Sequence, residues 1–306
     1  MQKIAARTPV VWGMTGSPIT TGAMDAYGLA KVVNSKRLPS QYMTKFRNLV
    51  MYQLDMYNYE HKPGWEKIVF NTLQPAIQFK TEDCIDLPDI SYETRALSMA
   101  DETKKAYKDM LDHQIHELEH GTITAVNAGV KYSKLLQIAS GTVYDEDGQV
   151  IDMDVSSKVN ELEMIVYESG KKLIVFVQFV QSAIRVTKEL RKRGFSVAAV
   201  YGDVNPKMRT RIFDEFQNGS LQVLVAQVST ASHGLTLTAS NYIVFWSAIM
   251  GVEKFIQSIA RIRRAGQARP QHIIKFVSCR AEIELFKKLE TGKLTNDDIL
   301  DLYKNL

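Results

Sequence analysis

Gln257, Arg261 and Arg264 stand at positions i, i+4 and i+7, the spacing that lines up along one side of an α-helix. Val252, Phe255, Ile256, Ile259 and Ile262 gather on the opposite side, so the periodicity predicts a helix from Glu253 to Gln267 anchored by an apolar back. Two guanidinium groups then project together. Such a pair suits a triphosphate, because each guanidinium offers a fixed fork of donors to phosphate oxygens and one can offset the charge that grows on a transferring phosphoryl group. An amphipathic surface helix also carries arginines at this spacing for solvation alone, so the pair takes its meaning from the segments around it.

A second constellation is His116-Glu117-Leu118-Glu119-His120, the His-Glu-x-x-His spacing that places two zinc ligands on one helix face. Its surroundings oppose a metalloprotease: the helix is strongly polar, Gly121 ends it at once, and no third ligand lies nearby. Tyr107, Leu111, Ile115 and Leu118 form its packing stripe, and no metal is assigned. Cys84 and Cys279 lie far apart without Cys-x-x-Cys spacing, which indicates neither a disulfide framework nor a zinc ribbon.

The elements that must position these residues follow from the hydrophobic pattern. From about Tyr132 onward, short apolar runs alternate with amphipathic stretches. The expected strands are Lys172 to Phe179, Val197 to Tyr201, Gln222 to Val228, Tyr242 to Trp246 and His272 to Val277. They are apolar on both faces, which implies a parallel sheet between two layers of helices, an α/β fold. One helix has Asn205 as its cap, Pro206 at its first position, a stripe of Met208, Ile212, Phe213 and Phe216, and Gly219 past its end. The helix before it is closed by Gly194, and its other face, with Lys188, Arg191, Lys192 and Arg193, reads as solvated surface. Tyr144 to Gln149 reads as an acidic hairpin or loop.

The first 130 residues read differently. Val10 to Met14 is expected to be a strand, followed by a turn at Thr15, Gly16, Ser17 and Pro18. The Met- and aromatic-rich region from Tyr42 to Tyr59 has helical spacing, Ser91 to Ser98 is a candidate strand, and Thr103 to His120 is a helix. With 306 residues, 45% of them hydrophobic and 24% charged, the chain has the composition of an ordinary globular protein. A net charge of +4 permits contact with a polyanion without requiring it. No apolar run approaches the roughly 20 residues of a membrane span, so no membrane partner is expected, and a reducing cytoplasm, bacterial or that of a phage-infected host, fits.

The segment Gln257 to Gln267 resembles motif VI of Swi/Snf-like superfamily-two helicases: a Gln, then Arg261, then Arg264 followed by Gly266 and Gln267. Gln227 to Asn241 is similar to motif V, with Gly234 in a turn after a strand, and Lys171 to Phe179 to motif IV. Tyr201, Gly202 and Asp203, followed by Arg209 and Phe216, match the family's Gly and its Arg with Phe seven residues on. Upstream, Thr15 to Pro18 resembles motif III, and Asp86, Leu87 and Pro88 with Tyr107 resemble the linker between the lobes. The segments keep the family's order along nearly the whole chain. Departures are a motif V poorer in glycine, Ser247 and Ala248 where the family has an acidic residue, and Arg263 at a position commonly His.

The resemblance implies a RecA-like second lobe over residues 126–280, with residues 1–20 as the last strand and motif III of lobe one, 21–125 as a mainly helical insertion and linker, and 281–306 as a helical tail. It implies an ATP-dependent helicase or translocase in which Arg261 and Arg264 are catalytic and, with Gly234 and Gln257, meet ATP. Thr15, Gly16, Ser17, Gln178, Ser229, Thr230 and Thr236 are the expected contacts to the backbone of DNA, expected to be double-stranded. The Gly-rich phosphate loop ending in Lys-Ser/Thr and the Asp-Glu pair that holds magnesium are not in the sequence. ATP with Mg2+ is therefore expected on a lobe one that is separate or fused and carries motifs I and II. The apolar Val10 to Met14 segment points the same way, since solvating a few hundred Å² of it costs about 25 cal/mol per Å². A nucleic-acid-binding remnant without motor activity is the alternative.

Overall fold

The computed structural model describes residues 2–304 except 6, 16–17, 20–21, 56–58, 78, 80–83, 85, 121–124, 145–146, 171, 232–235, 293 and 295. The chain divides into two compact units, residues 1–84 and 85–306.

In the first unit, helices Ala23–Val33, Met43–Val50 and Trp65–Thr72 pack on one another, and the second of them contacts a two-stranded antiparallel ribbon of β1 (Met51–Gln53) and β2 (Tyr59–His61). Ala23, Ala26, Tyr27, Ala30, Phe46, Val50 and Val69 form its small core. Phe46 and Val50 fall one helical turn apart, which is why that short helix buries one stripe. The strand expected over Val10 to Met14 does not form: Val10, Trp12 and Met14 are 64%, 84% and 97% exposed and make no ladder. An apolar run becomes a strand only where a neighbouring strand takes its backbone groups.

The second unit is built on a six-stranded parallel sheet. In chain order its strands are β3 (Ile90–Ala96), β6 (Lys172–Val177), β7 (Val197–Val200), β8 (Val223–Gln227), β9 (Ser240–Phe245) and β10 (Gln271–Val277). A hairpin of β4 (Thr142–Tyr144) and β5 (Val150–Asp152) stands apart from it, where the acidic hairpin is expected. The spatial order in the sheet is β3-β10-β9-β6-β8-β7. Strand alternation divides the apolar residues between two cores. Ile174, Phe176, Leu224, Ala226, Ile243 and Phe245 face one layer of helices. Leu173, Val175, Val223, Val225, Val244 and Trp246 face the other, so the inner strands β6 and β8 are apolar along nearly their whole length.

The boundaries expected at 126 and 281 do not hold. β3 pairs along its full length with β10, so the sheet takes in a strand far upstream of residue 126. Helix Asp101–His120 packs on helix Ala125–Ser140 within the same unit. The C-terminal residues are not an appendage either, because Leu285, Phe286 and Leu289 of helix Arg280–Glu290 are buried in the first of the two cores, and Leu302 and Tyr303 join them. The helix Pro206–Asn218 starts as its cap signals, with Asn205 Oδ1 accepting from the Lys207 N–H at 2.9 Å, although Met208 of its expected stripe is 49% exposed. No helix among the described residues is long and apolar enough to cross a membrane. The His116–His120 side chains lie outside the described residues.

Candidate functional site

The two arginines do not share a helix. Helix Val252–Ile259 ends before them, and residues 260–267 continue as consecutive turns, with N–H groups of Arg261 and Ile262 bonding to the carbonyls of Ser258 and Ile259. A tertiary contact competes with the helix: the Arg261 carbonyl, which residue 265 would need, accepts from the Leu237 N–H at 2.9 Å. Ile262 is fully buried by this arrangement, and Gly266 at φ +93° closes it in a left-handed conformation that side chains rarely adopt.

Arg261 is 4% exposed. Burial first, and the charge of Arg264 second, lower its pKa from the ordinary guanidinium value. The Arg264 Nε donates to the Ala260 carbonyl at 3.1 Å, and its Nη1 donates to the Thr236 hydroxyl at 3.3 Å. Two like charges, one of them nearly out of water, thus lie beside the loop that leads into β9. An anion shared between them relieves both the repulsion and the desolvation.

This turn is clamped to that loop by Gln267, which the sequence pattern places in the motif without giving it a role. Its buried side-chain amide donates to the Ser240 carbonyl at 2.8 Å, and its Oε1 accepts from the Arg269 N–H at 3.3 Å. Arg269 adds a bond to the Ala239 carbonyl at 2.7 Å. The only hint in the sequence is a polar side chain directly after a glycine. Gln257 is turned to its own helix, where it donates to Glu253 at 2.7 Å.

A second group of residues lies at the carboxyl ends of the strands. Gln178, just past β6, accepts from the Met250 N–H at 3.3 Å through its side chain and from Gln227 Nε2 at 3.4 Å through its carbonyl. Gln227, the last residue of β8, accepts in turn from the Gly202 N–H at 3.3 Å. Arg209 braces the same turn through the Val204 carbonyl at 3.3 Å. Ser229 is exposed on the short helix Val228–Ala231. Thr230 is not available to a ligand in the same way. It is buried, with its hydroxyl directed to the carbonyls of Gln227 at 2.7 Å and Val200 at 3.2 Å, so it braces the turn.

The expected site residues therefore fall into two clusters of this unit. One holds Arg261, Arg264 and Thr236; the other holds Gln178, Ser229 and Thr230. Thr236, expected with the nucleic-acid contacts, belongs with the arginines. Thr15 is exposed in the first unit, and Gly16, Ser17 and Gly234 lie outside the described residues. The basic face of helix Val180–Lys192 is internally engaged as surface: Arg185 pairs with Asp152, Lys192 with Glu189 and Arg193 with Glu163. Among the described residues no group of His, Cys, Asp and Glu is arranged to hold a metal ion.

Residues 157–266, which span both clusters, match the helicase conserved C-terminal domain. Protein p41 of Acyrthosiphon pisum secondary endosymbiont phage 1 is 26% identical over 320 residues, 98% of this chain and 66% of that protein. The ATP-dependent RNA helicase DBP3 of Meyerozyma guilliermondii is 32% identical over 124 residues, 40% of this chain and 23% of that one. The Sulfolobus solfataricus SWI2/SNF2 ATPase core in complex with dsDNA shares the fold, with a TM-score of 0.56 at 20% identity over 94% of this chain and 63% of that chain. The chain thus spans less than two thirds of the length of these proteins. Its six-stranded parallel sheet with helices on both faces matches the fold of a RecA-like helicase C-terminal lobe.

Proposed function

We propose that the chain is the C-terminal motor half of an ATP-driven, Swi/Snf-like nucleic-acid translocase, with ATP and Mg2+ held mainly on a lobe one that this sequence does not encode. Arg261 and Arg264 close over the phosphates and act as arginine fingers, and Thr236 orients Arg264. Ser229 and Gln178 meet the nucleic-acid backbone, and Thr15, Gly16 and Ser17 of the first unit make backbone contacts of their own, contacts that position a strand without reading its sequence. The 228–240 segment joins the two clusters, so closure over nucleotide shifts the strand contacts, and alternate closing and opening step the lobes along the strand.

The observation that carries this reading is the clamped turn: two guanidinium groups, one nearly buried, held by Gln267 to the loop into β9. Two arginines suit phosphate oxygens, to which each offers a fixed fork of donors. Duplex DNA is preferred over RNA because the likeness to the dsDNA-bound ATPase core runs through 94% of the chain, whereas that to the RNA helicase runs through 40%.

The test is ATP hydrolysis by the chain combined with the polypeptide that supplies the Gly-rich loop, with and without duplex DNA. Arg264→Ala should lower kcat by about a hundredfold or more, while Lys188→Ala on the outer helix should not. Equal turnover with Arg264→Ala would remove the proposed role. Stimulation by duplex RNA but not DNA would reverse the substrate assignment.

A further inference from the structure

The chain's net positive charge falls in one of its two units. Residues 1–84 contain ten Lys and Arg against six Asp and Glu, whereas residues 85–306 contain 28 of each. The first unit therefore carries the whole excess of +4, although the helicase C-terminal domain lies in the second.

Within the first unit the cations are placed against tyrosine rings. Lys45 Nζ lies 5.4 Å from the centre of the Tyr42 ring, Lys62 Nζ 4.9 Å from that of Tyr52, and the Arg47 guanidinium carbon 4.8 Å from that of Tyr59. The first two rings are 68% and 52% exposed. They are not core residues, which on this helix are Phe46 and Val50. One short stretch of chain holds all three pairs, because helix Met43–Val50 runs directly into β1, β1 pairs with β2, and Lys62 reaches back to the Asn48 carbonyl. Arg47 also donates to the Tyr59 hydroxyl at 3.1 Å. Tyr52 and Glu60 pair across one face of the ribbon, and Tyr59, opposite Gln53, belongs to the other.

Exposed tyrosines with a cation at the ring combine the two chemistries that bind an unpaired strand: a π-face on which a base stacks and an ammonium for the adjoining phosphate. We infer that these exposed cation and tyrosine pairs, Lys45 with Tyr42 and Lys62 with Tyr52, are a nucleic-acid contact of their own and take a single-stranded segment. Duplex DNA presents phosphates but no open base faces, so it engages only the ammonium groups. The inference stands apart from the arginine pair, since it needs neither ATP nor lobe one.

The experiment is fluorescence anisotropy of the full chain with labelled 20-nucleotide oligothymidylate and, in parallel, with an abasic strand of the same length. Tyr42→Ala and Tyr52→Ala should each weaken oligothymidylate binding roughly 5-fold or more and leave the abasic strand unchanged. Lys45→Glu should weaken both and reduce the slope of log K against log salt by about 0.7 for each phosphate that the variant no longer neutralises. Thermal melting followed by circular dichroism checks that each variant is folded. Wild-type affinity in all three variants, or tyrosine variants that affect both strands equally, would overturn the inference. So would weakening by Lys45→Glu alone, which describes attraction to any polyanion. These outcomes leave the Arg264→Ala hydrolysis test untouched, so the two readings fail separately.

Discussion

Gln267 holds Ser240. The side-chain amide donates to the Ser240 carbonyl at 2.8 Å from a buried position, with longer approaches of 3.4 Å to the carbonyls of Thr238 and Ile262. One side chain thereby joins the arginine turn to the first residue of β9. Gln267→Leu keeps the volume and removes the donor. It should cost about 1–3 kcal/mol in urea unfolding and lower kcat for ATP hydrolysis in the assembled motor more than it raises KM. An unchanged unfolding midpoint would show that this amide is not what holds the turn.

The buried ion pair of Lys158 and Glu282 makes a second stability prediction. Lys158 Nζ lies 3.2 Å from Glu282 Oε1 and donates to the Trp246 carbonyl at 3.1 Å, with both side chains almost fully out of water. Glu282 also accepts from the Ser278 N–H at 2.7 Å. Lys158→Met leaves a carboxylate buried beside an apolar chain and should cost about 3–5 kcal/mol. The Lys158→Met, Glu282→Leu double variant should lose clearly less than the sum of the two single losses, read from urea midpoints. Strict additivity would show that the two charges are not coupled.

Much of this fold is legible in the sequence because strands buried on both faces are written as unbroken apolar runs. Leu173 to Val177 and Val223 to Ala226 are such runs, and the observed strands begin and end within about two residues of the expected ones. Membership of the sheet is harder to see. Ile90–Ala96 reads as a strand, yet its partner lies about 180 residues away, beyond the reach of any local pattern. The arginine turn departs from its pattern for a related reason. Its apolar period continues through Ile262, but the Leu237 N–H captures the Arg261 carbonyl and the helix stops. The two guanidinium groups still lie near enough for the charge of Arg264 to lower the Arg261 pKa.

The two cysteines should react very differently. Cys84 is exposed. Cys279 is pushed up to about 12, by burial first and then by the charge of Glu282 beside it, so almost none of it is thiolate near neutral pH. With a chromogenic disulfide reagent at pH 8, native protein should release one equivalent rapidly, and denatured protein two. Fast modification of both thiols in native protein would mean that the Cys279 environment is open to solvent.

Ser229 and Thr230 are neighbours with similar hydroxyl chemistry, yet they should respond oppositely to mutation. The Thr230 hydroxyl is directed to the Gln227 carbonyl at 2.7 Å inside the turn after β8. Thr230→Val keeps the shape and removes that bond, so unfolding stability should fall by about 1 kcal/mol while affinity for duplex DNA stays within about twofold. Ser229, directly before Thr230 on the same short helix, is exposed. Ser229→Ala should weaken duplex binding if its hydroxyl meets the strand's backbone as proposed. The comparison separates bracing from binding because both substitutions act on one short helix, Val228–Ala231. If Thr230→Val weakened DNA binding as much as Ser229→Ala did, the turn itself, rather than the exposed hydroxyl, would be what the strand meets.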